Sequence, residues 1–282
     1  MTGRDSAFDI IRSDKEGPFE RLGDASSPDL ALSSATSFVL RQFVQLPRLA
    51  RLVRSGVQGS EDTSTTLEAA MLAKALFENP AWEFVDPYVA RMTLPRRPVA
   101  NNRYPEPVSS QTGFACVEEF ILAMFHHSYW MLLCGLVQTV CAMPGVESSI
   151  HIDCESAERK DVEAAESIAR CLDYTLDTAS DSAPALRALL CHAPIQLSWG
   201  AWDRLSKREQ TRSGDLLGGA VATPQAVRAA EMKEWCLCAA KRIQAIWHAG
   251  ESSERDLRVV TEAFAGGQLI PAMLNRVRWS KT

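Results

Sequence analysis

Basic excess is the first thing this sequence lacks. Thirty Lys and Arg face 35 Asp and Glu, a formal net charge of −5, so the surplus positive charge that drives duplex affinity through counterion release is missing. Direct nucleic-acid binding is not expected. Paired-cysteine spacing is missing too: Cys116, Cys134, Cys141, Cys154, Cys171, Cys191, Cys236 and Cys238 include no Cys-x-x-Cys. Most lie inside apolar runs and read as small buried hydrophobes of a reducing compartment. No Gly-x-Ser-x-Gly elbow, papain-like or caspase-like cysteine context, Gly-x-Gly-x-x-Gly fingerprint or P-loop lysine occurs, so nucleophilic-elbow and nucleotide chemistry have no footing. Strict two-residue alternation is nearly absent and no fixed-period repeat occurs, which predicts an all-α protein that is not a regular solenoid.

What is there suits a globular chain. At 282 residues, 46% of them apolar, a compact fold buries roughly 70–75% of its unfolded surface. Residues 1–34 mix small, polar and charged side chains and read as a flexible arm, leaving 35–282 as a single helical domain. The run SFVLRQFVQLPRLARLVRSG predicts a helix with a kink at Pro47 and a stop at Gly56, and TSTTLEAAMLAKALFEN predicts a second. The Pro-rich stretch 80–110 reads as a long irregular connector.

An apolar helix over 111–143, closed by Pro144-Gly145, comes next. Its core, FILAMFHHSYWMLLCGLVQTVCAM, is long enough to cross a bilayer. His126, His127, Ser128 and Gln138, with no flanking Lys/Arg cluster, favour a buried central helix instead, and no membrane partner is expected. The N-terminal MTGRDSAFDIIRSDKEGPF lacks an apolar stretch behind a basic start and predicts no secretory signal. An amphipathic helix from Glu158 carries Val162, Ala165, Ile168, Ala169, Leu172 and Leu176 on one stripe. Residues 183–205 read as buried and broken by Pro194 and Gly200. A helix from Pro224 turns Met232, Trp235, Cys236, Ala239, Ile243, Ile246 and Trp247 inward, and a short helix near 254–265 follows. The expected architecture is an irregular multi-helix bundle around the long apolar helix.

Metal chemistry has weak candidates. His126-His127, Cys236-x-Cys238 and His151-x-Asp153-Cys154 are poor chelating sets, because helical neighbours diverge by about 100° and positions two apart share no face. No metal and no cofactor are expected. The notable concentration is of rings on two apolar segments: His126, His127, Tyr129 and Trp130 on one, His192, Trp199 and Trp202 on the other. Trp235 and Trp247 follow on a later helix. Packed together, they would line an apolar pocket with a few polar tips.

The order of segments carries a resemblance. A Pro-rich stretch into Phe114, the apolar helix before Pro144, AAESIARCLDYTL and then APALRALLCHAPIQLSWGAW resemble the C-terminal helical region of fungal zinc-cluster transcription factors over roughly residues 60–250. Ile168, Arg170, Cys171, Leu172 and Tyr174 occupy the places of that family's arginine-containing amphipathic helix. The six zinc-binding cysteines have no counterpart here, where the first cysteine is Cys116. The resemblance thus implies a helical effector region without its DNA-reading module, working in the nucleus or cytoplasm by binding another transcription factor or a hydrophobic small molecule. It carries over no catalytic residue.

Two classes of function are expected. The first is a regulator of a specialised-metabolite pathway. The second is a cofactor-free enzyme of fungal secondary metabolism, a cyclase, isomerase or Diels-Alder-type pericyclase, in which a ring-lined cavity orients substrate and a histidine or tyrosine donates a hydrogen bond. The resemblance, being to regulators, favours the first.

Overall fold

The computed structural model describes residues 28–58, 63–93, 95–98, 110–146, 150–176, 184–214, 222–246, 250 and 252–265. The protein is all-α. Ten helices occur among the described residues: α1 Pro28–Phe43, α2 Leu46–Val57, α3 Thr63–Phe77, α4 Trp82–Met92, α5 Val117–Cys141, α6 Cys154–Arg170, α7 Leu172–Leu176, α8 Pro184–Gly214, α9 Pro224–Ile246 and α10 Glu254–Phe264. One short antiparallel ladder, β1 Pro95–Pro98 with β2 Ser110–Thr112, lies between α4 and α5.

α5 is the centre. It packs against α1, α2, α3, α6 and α8, and buries residues on every side, among them Phe120, Leu122, Trp130, Leu133 and Leu136. Burying each such side chain stabilises the fold by about 1.5–3 kcal/mol. α5 alone among the described helices is long and apolar enough to cross a membrane, and most of its apolar stretch is buried inside the bundle. A helix apolar all round is satisfied by protein neighbours on all sides. Gly145, at φ 80°, makes the turn beyond α5 in a left-handed conformation that a side chain disfavours.

Several local expectations are corrected. α1 begins at Pro28, inside the stretch read as an arm; residues 1–27 lie outside the described set. Pro47 does not kink one helix. It occupies the first turn of α2, after a break at Val44–Gln45, where its missing N–H has no intrahelical partner to lose. The supposed connector holds α4, whose buried Trp82, Val85, Val89 and Met92 follow helical spacing; the Asn79 side chain accepts from the Ala81 N–H at its start. α8 runs unbroken through Pro194 and Gly200. On α9, Met232, Trp235, Cys236, Ala239 and Ile243 are buried as expected, but Ile246 is exposed and Trp247 lies outside the described residues.

The cysteines divide. Cys134, Cys171, Cys191 and Cys236 are buried thiols, and burial raises the pKa of each, which suppresses thiolate chemistry. Cys141 and Cys154 instead form a disulfide joining the end of α5 to the start of α6. The all-reduced reading is corrected there.

Candidate functional site

His126 and Trp130 stand one turn apart on α5 and meet Asp86 of α4. His126 Nε2 lies 2.7 Å from Asp86 Oδ1, and Trp130 Nε1 lies 3.2 Å from the same oxygen. Lys160 of α6 completes the group, with Nζ 2.5 Å from Asp86 Oδ2 and 3.5 Å above the Trp130 ring. One carboxylate therefore ties α4, α5 and α6 together.

Charge states follow from the surroundings. Burial pushes Asp86 up, but hydrogen bonds and charge from His126 and Lys160 outweigh it and hold the carboxyl below its usual range. Burial lowers the His126 pKa more than Asp86 raises it, and burial with the neighbouring His126 holds His127 far below its ordinary value. Both rings are neutral near pH 7.

The tautomers are then fixed by chemistry. A carboxylate is an acceptor only, so His126 donates from Nε2–H to Asp86, and Trp130 donates to the carboxylate rather than to that nitrogen. His126 Nδ1 is left as an acceptor, 3.4 Å from His127 Nδ1, which must supply the proton. The chain of bonds ends at His127 Nε2, a bare lone pair that is buried and has no partner among the described residues. Chemically this is a base without a donor.

Aromatic packing encloses the group. Trp82 sits 4.7 Å from Trp130, 4.9 Å from Tyr129 and 5.8 Å from His126 between centroids. Phe77 meets Trp130 edge-on and Phe43 meets Tyr129 likewise. Burial raises the Tyr129 hydroxyl, which has no hydrogen-bond partner among the described residues.

The second set lies on α8 and α9. His192 Nε2 faces the amides of Gln196 at 3.3 Å and Gln244 at 3.2 Å, so it accepts and carries its proton on Nδ1. Trp199 lies under Lys233 at 4.9 Å and Trp202 under Arg228 at 5.8 Å. Lys233 bonds Asp203, and Trp235 is buried in the same helix pair. Among the described residues no ring contact or hydrogen bond joins these to His126, His127, Tyr129 or Trp130. The single ring-lined pocket expected from the sequence is thus two packed clusters.

A third feature is polar. Asp161 of α6, fully buried, receives Nε and Nη2 of Arg204 from α8, both at 2.8 Å, and the Gln138 amide from α5 at 3.1 Å. Arg208 bonds Gln138 Oε1 and faces Glu158.

Clefts open beside these elements among the described residues, three of them notable. About 570 Å³ lies by Met71, Lys74 and His151, and about 240 Å³ beside the Cys141–Cys154 bond. About 300 Å³ lies between α6, α8 and α9, and of the ring candidates among the described residues Trp202 alone lines any of the three. Among the described residues no three His, Cys, Asp or Glu side chains gather in a group fit for a metal. Asp86, Lys160 and Asp161 were missed by sequence reasoning. For Asp86 a signal existed, since it stands one turn after Trp82 on the inner stripe of α4. The chain matches no family model, no curated protein and no solved structure.

Proposed function

We propose that this chain is a helical regulatory module of the fungal transcription-factor type, acting by noncovalent contact in control of a specialised-metabolite pathway and making no duplex contact of its own. The observation that carries the reading is the α5–α6–α7–α8 order, with the Ile168–Tyr174 segment at the α6–α7 junction. Ile168, Cys171 and Leu172 are buried at the α6–α7 junction. Tyr174 packs 5.0 Å from Phe114 and 5.3 Å from Phe120, under the Arg187 guanidinium. An arginine-bearing amphipathic helix, α6, precedes α8 in this order, and that order supports the reading. The net charge of −5 is of the sign that phosphate repels.

A second reading, a cofactor-free cyclase or isomerase, is favoured by one observation: the unpaired Nε2 of His127, a neutral base in an apolar setting. Deleting the gene in its source organism separates the two. Altered transcripts of a set of biosynthetic genes support the regulator; accumulation of one unprocessed intermediate with transcripts unchanged supports the enzyme and contradicts the regulator.

A further inference from the structure

The cleft between α6, α8 and α9 gathers buried donors that nothing among the described residues accepts from. Trp202, fully buried, lines it, and its Nε1–H has no acceptor among the described residues. Arg208 and Arg228 line it as well, and the Nε–H of each is buried without a hydrogen bond among the described residues. Arg208 Nε stands 3.3 Å from Glu158 Oε2, out of line for a bond; Arg228 spends its Nη2 on Glu166. The cleft's carboxylates Glu155 and Glu163 are exposed, so water satisfies them, whereas these N–H groups are buried. Buried N–H groups without acceptors are costly, and the cost is relieved by whatever supplies oxygen lone pairs.

The walls define the rest of the ligand. Val162 and Leu205 give an apolar wall, the buried Trp202 indole lies behind it under Arg228, and Arg159 and Arg212 add positive charge at the rim. Glu155, Glu158 and Glu163 also face the cleft, but Glu158 is engaged by Arg208 and Arg212. A volume of about 300 Å³ is at the small end of organic-ligand sites. Guanidinium groups are suited to planar carboxylates and to phosphates.

We propose that this cleft binds a small amphipathic oxyanion, its apolar body against Val162 and Leu205 and its carboxylate or phosphate head on Arg208 and Arg228, beside the Trp202 N–H. The site depends on the cleft's own donors and not on the regulatory role, so its failure would leave that role standing.

The test uses the full chain with 15N-labelled indoles. The Trp202 Nε1–H resonance is identified by its loss in Trp202→Phe, and the chain is titrated with benzoate, phenyl phosphate and neutral benzamide. A saturable shift of that resonance with either acid and none with benzamide supports the site. The tighter acid names the head group. Arg228→Gln, or the rim variant Arg159→Gln if the first fails to fold, is expected to weaken binding about tenfold or more, while Arg258→Gln on α10 leaves it unchanged. No saturable shift with either acid, an equal response to benzamide, or undiminished binding by the folded arginine variant overturns the proposal.

Discussion

Gly200 of α8 lies so close to Thr261 of α10 that a Cβ in its place would fall 2.3 Å from Thr261 Cγ2 and 2.7 Å from its Oγ1. The glycine is there to let two helices cross, not to break one. Thr261 is buried and its hydroxyl bonds the Leu257 carbonyl, so it has little room to yield.

Gly200→Ala is expected to destabilise the protein by about 1–3 kcal/mol through overpacking. Pairing it with Thr261→Ala recovers much of the loss, because the clashing atoms go. A double-mutant cycle by urea denaturation reads the coupling; purely additive effects would contradict the contact.

Asp161 and Arg204 form a bidentate pair with the carboxylate fully buried. Removing one partner strands the other charge, so Asp161→Ala is expected to cost about 3–5 kcal/mol. Gly135 makes room for this pair: a Cβ there would stand 3.1 Å from Arg204 Nη1 and 3.2 Å from its Cζ, atoms the salt bridge holds in place. Gly135→Ala therefore lowers the melting temperature in the wild type and lowers it less in the Arg204→Met background.

Stability falls on acidification, beginning below about pH 6.5. Burial holds His126, His127 and His192 below their ordinary value of 6.5, so over that range the unfolded chain binds more protons than the folded one. Their contribution is complete above pH 6.5 and is lost as pH falls through the folded values. Asp86 and Asp203, raised by burial but lowered more by their basic partners, lie below 3.8; their contribution is lost only in stronger acid. Denaturant midpoints between pH 8 and 4 check this, and the double variant His126→Gln/His127→Gln flattens the upper part of the curve.

Cys141 and Cys154 close a loop with a sequence separation of 13. Thiol titration of the unreduced, denatured protein is expected to count six thiols, the free cysteines. In the chain-entropy account a loop of this size contributes about 3 kcal/mol, so reductant or Cys141→Ser/Cys154→Ser lowers the melting temperature. Eight titratable thiols without reductant would contradict the bond.

The fold class and the burial of α5 were legible because periodicity and apolar run length are local properties of the chain. Residues 80–110 were misread because proline density masked the Trp82, Val85, Val89 and Met92 stripe, and Pro194 and Gly200 because a breaker inside a helix looks the same whether it ends the helix or meets a neighbour. That His126, His127, Tyr129 and Trp130 are neighbours was legible, since one helix carries them all. What they contact was not legible: Asp86 and Lys160 come from elements 40 and 34 residues distant (126 − 86 and 160 − 126). Likewise, that Trp202 faces a cleft while Trp199 lies under Lys233 depends on how α8 is turned against α9 and α6, which no spacing along one helix determines.

The regulatory role is tested most directly by fusing residues 1–282 to an unrelated DNA-binding domain and recruiting the fusion to a reporter promoter in a fungal host. A regulatory module changes reporter output relative to the DNA-binding domain alone, and Tyr174→Ala, which loosens the α5–α8 junction, reduces the change. Output indistinguishable from the DNA-binding domain alone, with the fusion present at equal level, would contradict it.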